Sequence, residues 1–127
     1  MIVIDTSAVV ATLAGEPEAA RFGDAIALDG HVAISAVNFV ECALVLSSRP
    51  HVRAQLGPWM QANSVSVVTV DEALARGAIG AFDRFGKGRH RAGLNFGDCF
   101  AYALAKALDA PLLFKGGDFA KTDVRVA

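Results

Sequence analysis

The chain has only two cysteines in 127 residues, Cys42 and Cys99, and they form no CxxC pair. That sets aside a disulfide framework and points to free thiols in a reducing cytoplasm. No uninterrupted apolar run approaches ~18 residues, so no transmembrane helix is expected. The N-terminus lacks a basic stretch and runs straight into a strand, which excludes a secretory signal. No GxGxxG follows that strand, which argues against dinucleotide binding. Excess charge is also missing. The formal net charge is −1, so any contact with nucleic acid must be local rather than a bulk field effect. Repeats, low-complexity tracts and linkers are absent, and residues 1–127 read as one domain.

Apolar content, by contrast, is high. Hydrophobic residues make up 54% and charged residues 20% of the chain, which suggests surface shared with a partner beyond what a core of this size needs. A chain of this length buries roughly two-thirds of the surface exposed by its unfolded form.

Short apolar runs alternate with helical patterns. "IVID" (2–5) is a strand buried on both faces, as in a parallel sheet. A short helix from Thr6 closes at Gly15, and a second spans 16–28 with Pro17 at its first position. Strand 31–35 precedes an apolar helix, 36–48. Residues 50–64 are helical but broken near Gly57-Pro58. Strand 65–70 leads to an amphipathic helix, 71–86, capped by Asp71. After a basic loop, 87–93, come helix 96–109, strand 111–115, a turn at 116–123 and a last strand in "VRVA". This alternation predicts a three-layer α/β/α sandwich around a mostly parallel sheet, with ligands beyond the carboxyl ends of its strands.

Four acids map to that edge: Asp5 at the end of strand one, Glu41 early in the helix after strand two, Asp98 in the first turn of helix 96–109, and Asp118 after strand 111–115. Each also has an ordinary reading. Asp5 and Asp98 suit helix caps or first-turn acids. Asp118 in "GGDF" suits a turn. Glu41, among Phe39, Val40, Cys42 and Leu44, suits a salt bridge to an arginine. Brought together, however, the acids need a cation. Two carboxylates ~4 Å apart repel by about 4 kcal/mol at an effective dielectric of 20. An all-oxygen set without histidine or cysteine selects Mg²⁺ or Mn²⁺ over Zn²⁺. Such an ion equips a site for phosphodiester hydrolysis. The stretch "DRFGKGRHR" adds Arg84, Lys87, Arg89, His90 and Arg91. It reads either as a solvated loop or as a phosphate-backbone contact without sequence-reading capacity.

"IVIDTSA", "AVNFVE", "FGKGRHRAGLNFGDCFAYALAK" and "LLFKGGDFAKTD", in this order and spacing, resemble the PIN domain. More narrowly they resemble VapC-type toxins of bacterial type II toxin–antitoxin systems, over essentially the whole chain. The resemblance implies a Mg²⁺- or Mn²⁺-dependent endoribonuclease, inhibited by a cognate antitoxin and usually homodimeric. It carries the family's acids onto Asp5, Glu41, Asp98 and Asp118. Asp5 and Asp98 would hold the principal ion, Glu41 would polarise the attacking water or ligate through one, and Asp118 would complete the shell or hold a second ion. Thr6 or Ser7 would orient a carboxylate or a water, and Asn38 would hydrogen-bond Glu41. Gly117 stands where relatives often carry Asn or Asp; if that position helps hold a second ion, this chain lacks the ligand. The apolar segment 39–60 offers a dimer face or an antitoxin groove.

Two other readings compete. A phosphoryl-transfer enzyme of the aspartyl-phosphate type wants an acid at position 7, where Ser7 stands. A non-catalytic binding module would keep the acids as structural residues.

Overall fold

The computed structural model describes residues 1–127. Four parallel strands, β1 (Ile2–Ile4), β2 (Val32–Ser35), β3 (Val65–Val68) and β4 (Leu112–Leu113), form one sheet in the order β3-β2-β1-β4. Val3 pairs with both Ala33 and Leu112, so β1 is central. Helices α1 (Thr6–Leu13), α2 (Ala19–Asp29), α3 (Ala36–Val45), α4 (Pro50–Arg53), α5 (Leu56–Ala62), α6 (Glu72–Phe85) and α7 (Phe96–Ala107) complete the fold.

Alternate strand residues feed two cores. Ile2, Ile4, Val32, Ile34 and Leu113 pack with Val9, Phe22, Ile26 and Met60 on one face. Val3, Ala33 and Leu112 pack with Leu74, Phe85, Tyr102 and Leu104 on the other. Burial on both faces is why the strands read as continuous apolar runs. β3 is an edge strand, and Val67 is exposed.

The expected three-layer arrangement is present, with adjusted boundaries. β3 ends at Val68 rather than at residue 70, and β4 keeps only two residues of the expected five. "VRVA" contributes one parallel bridge, Leu112 to Val126, and no full strand. α2 begins at Ala19, so Pro17 lies in a turn that leaves Glu16 and Glu18 outside the helix. The break in 50–64 falls between Arg53 and Leu56. Gly57-Pro58 instead sits in the first turn of α5, where proline needs no amide partner. Asp71 caps α6 by accepting from Leu74 N–H, as expected.

The strand order reverses between β1 and β4. β2 and β3 extend the sheet on one side of β1, and β4 lies on the other. A crevice beyond the carboxyl ends of the strands at such a reversal is where open α/β sheets bind ligands.

Candidate active site

At that crevice lies a cavity of about 290 Å³. Asp5, Glu41, Asp98 and Ser7 contribute to its wall. Asp5 leaves β1 as the cap of α1. Its Oδ2 accepts from Ser7 N–H at 2.9 Å and Ser7 Oγ–H at 2.6 Å. Its Oδ1 is buried and has no hydrogen-bond partner. Burial raises the Asp5 pKa; the Ser7 hydrogen bonds oppose the rise, and the Glu41 charge adds to it.

Asp98 repeats the arrangement in α7. Asn95 caps the helix by accepting from Asp98 N–H at 2.9 Å, and Asp98 Oδ2 accepts from Asn95 N–H at 3.0 Å. The second Asp98 oxygen is not used by this reciprocal cap. Burial pushes the Asp98 carboxyl from 3.8 up to about 6, helped by the charges of Asp5, Glu41 and Asp118 and opposed by the Asn95 hydrogen bond.

Glu41, on α3, lies against Gly97. A Cβ at Gly97 would fall 2.3 and 2.4 Å from the two Glu41 carboxylate oxygens. Gly97 therefore provides the berth for this side chain, a role that was not legible in "LNFGDC". The expected hydrogen bond from Asn38 to Glu41 is long, at 3.5 Å. Asn38 Nδ2 has two hydrogens, and nearer acceptors are Gly97 O at 3.0 Å and Thr6 Oγ1 at 3.2 Å. Asn38 Oδ1 accepts from Ser35 Oγ. Fully buried, Asn38 thus joins β2, α1 and α7 beneath the cavity. Of the two hydroxyls, Ser7 orients the acid, whereas Thr6 donates to Asn38 O.

None of the four acids forms an ion pair, which removes the salt-bridge reading of Glu41. Asp118 is exposed at the start of a 3-10 turn and does not line the cavity, although its charge reaches Asp98. The basic stretch lies elsewhere too. Arg84 pairs with Asp123 at 3.7 Å and stacks over Phe85, and Arg89 stacks over Phe82. His90 Nδ1 accepts from Ala92 N–H, and its ring packs edge-on to Phe85. Lys87 and Arg91 are exposed. None of these five lines the cavity; its one cation is Lys115, which the sequence reading did not single out. Cys42 and Cys99 are free and buried, with thiols pushed up by burial to about 12 and about 11, and are chemically quiet.

No three acid, histidine or cysteine side chains converge tightly enough to enclose an ion as they stand. The donors nevertheless fit a hard divalent cation. Mg²⁺ takes one or two carboxylates and fills its remaining positions with water and phosphate oxygens. Asp5 Oδ1 is a buried carboxylate oxygen that accepts from no protein donor, which leaves its lone pairs free for a metal ion.

A parallel sheet with an acidic cavity at its topological reversal has the layout that metal-assisted hydrolysis of a phosphodiester needs. Comparison with known proteins narrows this. The PIN domain model matches residues 2–125, and the chain belongs to the PIN domain family. It is 50% identical over 126 residues to "Ribonuclease VapC" of Mycolicibacterium smegmatis, covering 97% of each chain. It is 48% identical to "Ribonuclease VapC30" of Mycobacterium tuberculosis, over 97% of this chain and 95% of that one. The fold is shared with the M. tuberculosis toxin VapC20, described as cleaving the sarcin-ricin loop. There the TM-score is 0.81 at 18% identity, with 100% of this chain and 98% of that one covered. It is also shared with a chain of a toxin–antitoxin complex from Klebsiella pneumoniae, at TM-score 0.72 and 18% identity, with 100% and 97% covered.

Two outcomes follow from the geometry. Gly97→Ala will displace Glu41 and lower turnover by about 10- to 100-fold, the scale of an ångström-level misplacement. In a Glu41→Ala background the same change will instead stabilise the protein by up to ~1 kcal/mol through helix propensity. Urea denaturation of the four proteins of this cycle measures the coupling. Separately, the folded protein holds the Asp98 proton to about pH 6, whereas the unfolded chain releases it near 3.8. The folded state then binds more protons, so metal-free stability falls as pH rises from about 4 to about 6 and levels off above. Asp5, shifted the same way, adds to the slope. Urea midpoints across this range, with metal chelated, check the sign.

Proposed function

We propose that the protein is a Mg²⁺- or Mn²⁺-dependent endoribonuclease toxin of a type II toxin–antitoxin module. The single observation that carries the metal-dependent part is the buried Asp5 Oδ1 without a partner, beside Glu41 and Asp98 in one cavity. The near-full-length likeness to VapC ribonucleases supports the substrate class.

In this reading Asp5 and Asp98 hold the ion through the oxygens that their helix caps leave free. When bound, the ion supplies charge neutralisation and a more acidic water for attack on the scissile phosphate. Ser7 fixes the Asp5 rotamer, and Asn95 fixes that of Asp98. Glu41, seated on Gly97, accepts a proton from the attacking water, and the products carry a 5′-phosphate and a 3′-hydroxyl. Asp118, outside the cavity wall, acts through its charge or on a second, weaker ion. Lys87, Arg89 and Arg91, none of which has a carboxylate partner, serve phosphates farther along the strand.

The proposed protein partners are a cognate antitoxin and a second copy of the chain. Val40, Leu44 and Phe96, at 54%, 63% and 72% exposure, border an apolar cavity of about 650 Å³ next to Glu41. The apolar part of 39–60 divides here. Cys42, Leu56 and Met60 are core residues, and Val40 and Leu44 of α3 are left for a partner. No helix is long and apolar enough to cross a membrane.

Asp5→Asn tests the assignment. Cleavage of single-stranded RNA in Mg²⁺ will fall at least about 100-fold, the cost of losing a primary electrostatic group. In metal-free buffer the melting temperature will rise, because a buried unpaired charge is removed. In the wild type, millimolar Mg²⁺ will raise the melting temperature, since an ion bound only by the folded state stabilises it; in the variant this gain will be lost. Unchanged cleavage by the variant refutes the reading.

A further inference from the structure

The acidic cavity poses an electrostatic problem for the proposed substrate. Asp5, Glu16, Glu41 and Asp98 line it, against a single ammonium, Lys115. One divalent cation balances two of the four carboxylates and leaves a wall still hostile to a polyanion. The basic loop does not answer this, because none of its side chains reaches the cavity wall.

Lys115 follows β4, the strand across the reversal from β1. Its backbone is pinned to the site, since Lys115 N–H donates to Ser7 Oγ at 3.0 Å and Ser7 Oγ–H donates to Asp5 Oδ2. Its side chain reaches back over the α1–α2 turn. There Nζ lies 3.0 Å from Glu16 Oε1 and 3.4 Å from Glu18 Oε2. Pairing with Glu16 raises the Lys115 pKa, so the group stays charged. The Lys115 side chain is 38% exposed, and ion pairs between partly exposed side chains are weak. Lys115 is therefore anchored at its backbone, held at its tip by partly exposed ion pairs, and part of the cavity wall.

We propose that Lys115 is a phosphate-contacting residue for the RNA strand at the cleavage cavity, kept in reserve by Glu16 and Glu18, which compete with RNA for its ammonium. This rests on the ribonuclease reading above and adds a substrate subsite to it. The reserve has a physical use: in free protein the pair prevents Lys115 from neutralising Asp5 or Asp98 and so displacing the ion.

The test is binding of a single-stranded oligoribonucleotide by Asp98→Asn protein, which binds without cutting, across a salt series. Adding Lys115→Gln will weaken binding about fivefold at low salt, as expected for one exposed charge contact. It will also reduce the slope of log affinity against log salt by about 0.7, the value for one phosphate contact on a single strand. Lys115→Arg will keep both. Glu16→Gln with Glu18→Gln will tighten binding, but only while Lys115 is present. A purely structural ion pair gives a different pattern: either side's loss lowers the melting temperature and the salt slope does not move, which overturns the inference. An equal gain from the glutamate changes with and without Lys115 overturns it as well. If Lys115→Gln fails to fold, the glutamate pair decides alone, and unchanged binding overturns the proposal. If Asp98→Asn binds no RNA at any salt, the ribonuclease reading falls and takes the inference with it; binding with an unaltered slope removes only the inference.

Discussion

A carboxylate oxygen buried without a donor is among the most costly features a small fold can carry, and Asp5 Oδ1 is one. The surrounding structure is arranged around tolerating it. Ser7 satisfies the other Asp5 oxygen twice, through its amide and its hydroxyl. The same hydroxyl accepts from Lys115 N–H and so ties β4 to α1. Beneath, Asn38 holds β2, α1 and α7 together with every strong contact buried. Two hydrogen bonds from Ser7 hold the Asp5 side chain in this orientation, and two apolar cores flank the strand that carries it.

The parallel sheet supplies the rest of the compensation. α1, α3 and α7 all begin at the edge where Asp5, Glu41 and Asp98 gather. Each helix start presents unsatisfied N–H groups and a partial positive charge, worth ~0.3–1 kcal/mol to a nearby anion and fading after the first turn. That helps Asp5 and Asp98 more than Glu41, which lies in the second turn of α3. Desolvating an ion costs several kcal/mol, so the helix starts cannot win. The raised pKa values of Asp5 and Asp98 are the residue of that unequal contest. In the function proposed above, a cation balances the site.

The fold and the principal acids were legible in sequence because they depend on local pattern. Continuous branched runs mark strands covered on both faces, and the acids stand next to them. What stayed hidden depends on contacts between distant segments. Lys115 meets Glu16 across 99 positions, and nothing local to either residue marks the pair. Gly97 has its role only through Glu41, which a helix distant in sequence brings against it. The basic run "DRFGKGRHR" drew attention by its density, yet Arg84 pairs with Asp123 and no side chain of the run lines the cavity. Asp118 shares the edge in topology but falls in an exposed turn beyond the cavity wall. Charge density along a chain reports where charges are, and not what they face.

Cap and ligand were posed as rival readings of Asp5 and Asp98, and the geometry leaves room for both. A carboxylate has two oxygens. In both residues Oδ2 is used by a helix cap, with donors fixed by the backbone within three residues. The cap freezes the side chain by local bonds that need no distant partner, and Oδ1 is left as a preset acceptor. A carboxylate held by a long salt bridge would have to surrender that bridge to take a cation; one held by its own helix start surrenders nothing. An acid that looks like an ordinary helix cap is for this reason a sound mount for a metal ligand. The feature that makes the residue look structural is the one that makes it ready for chemistry.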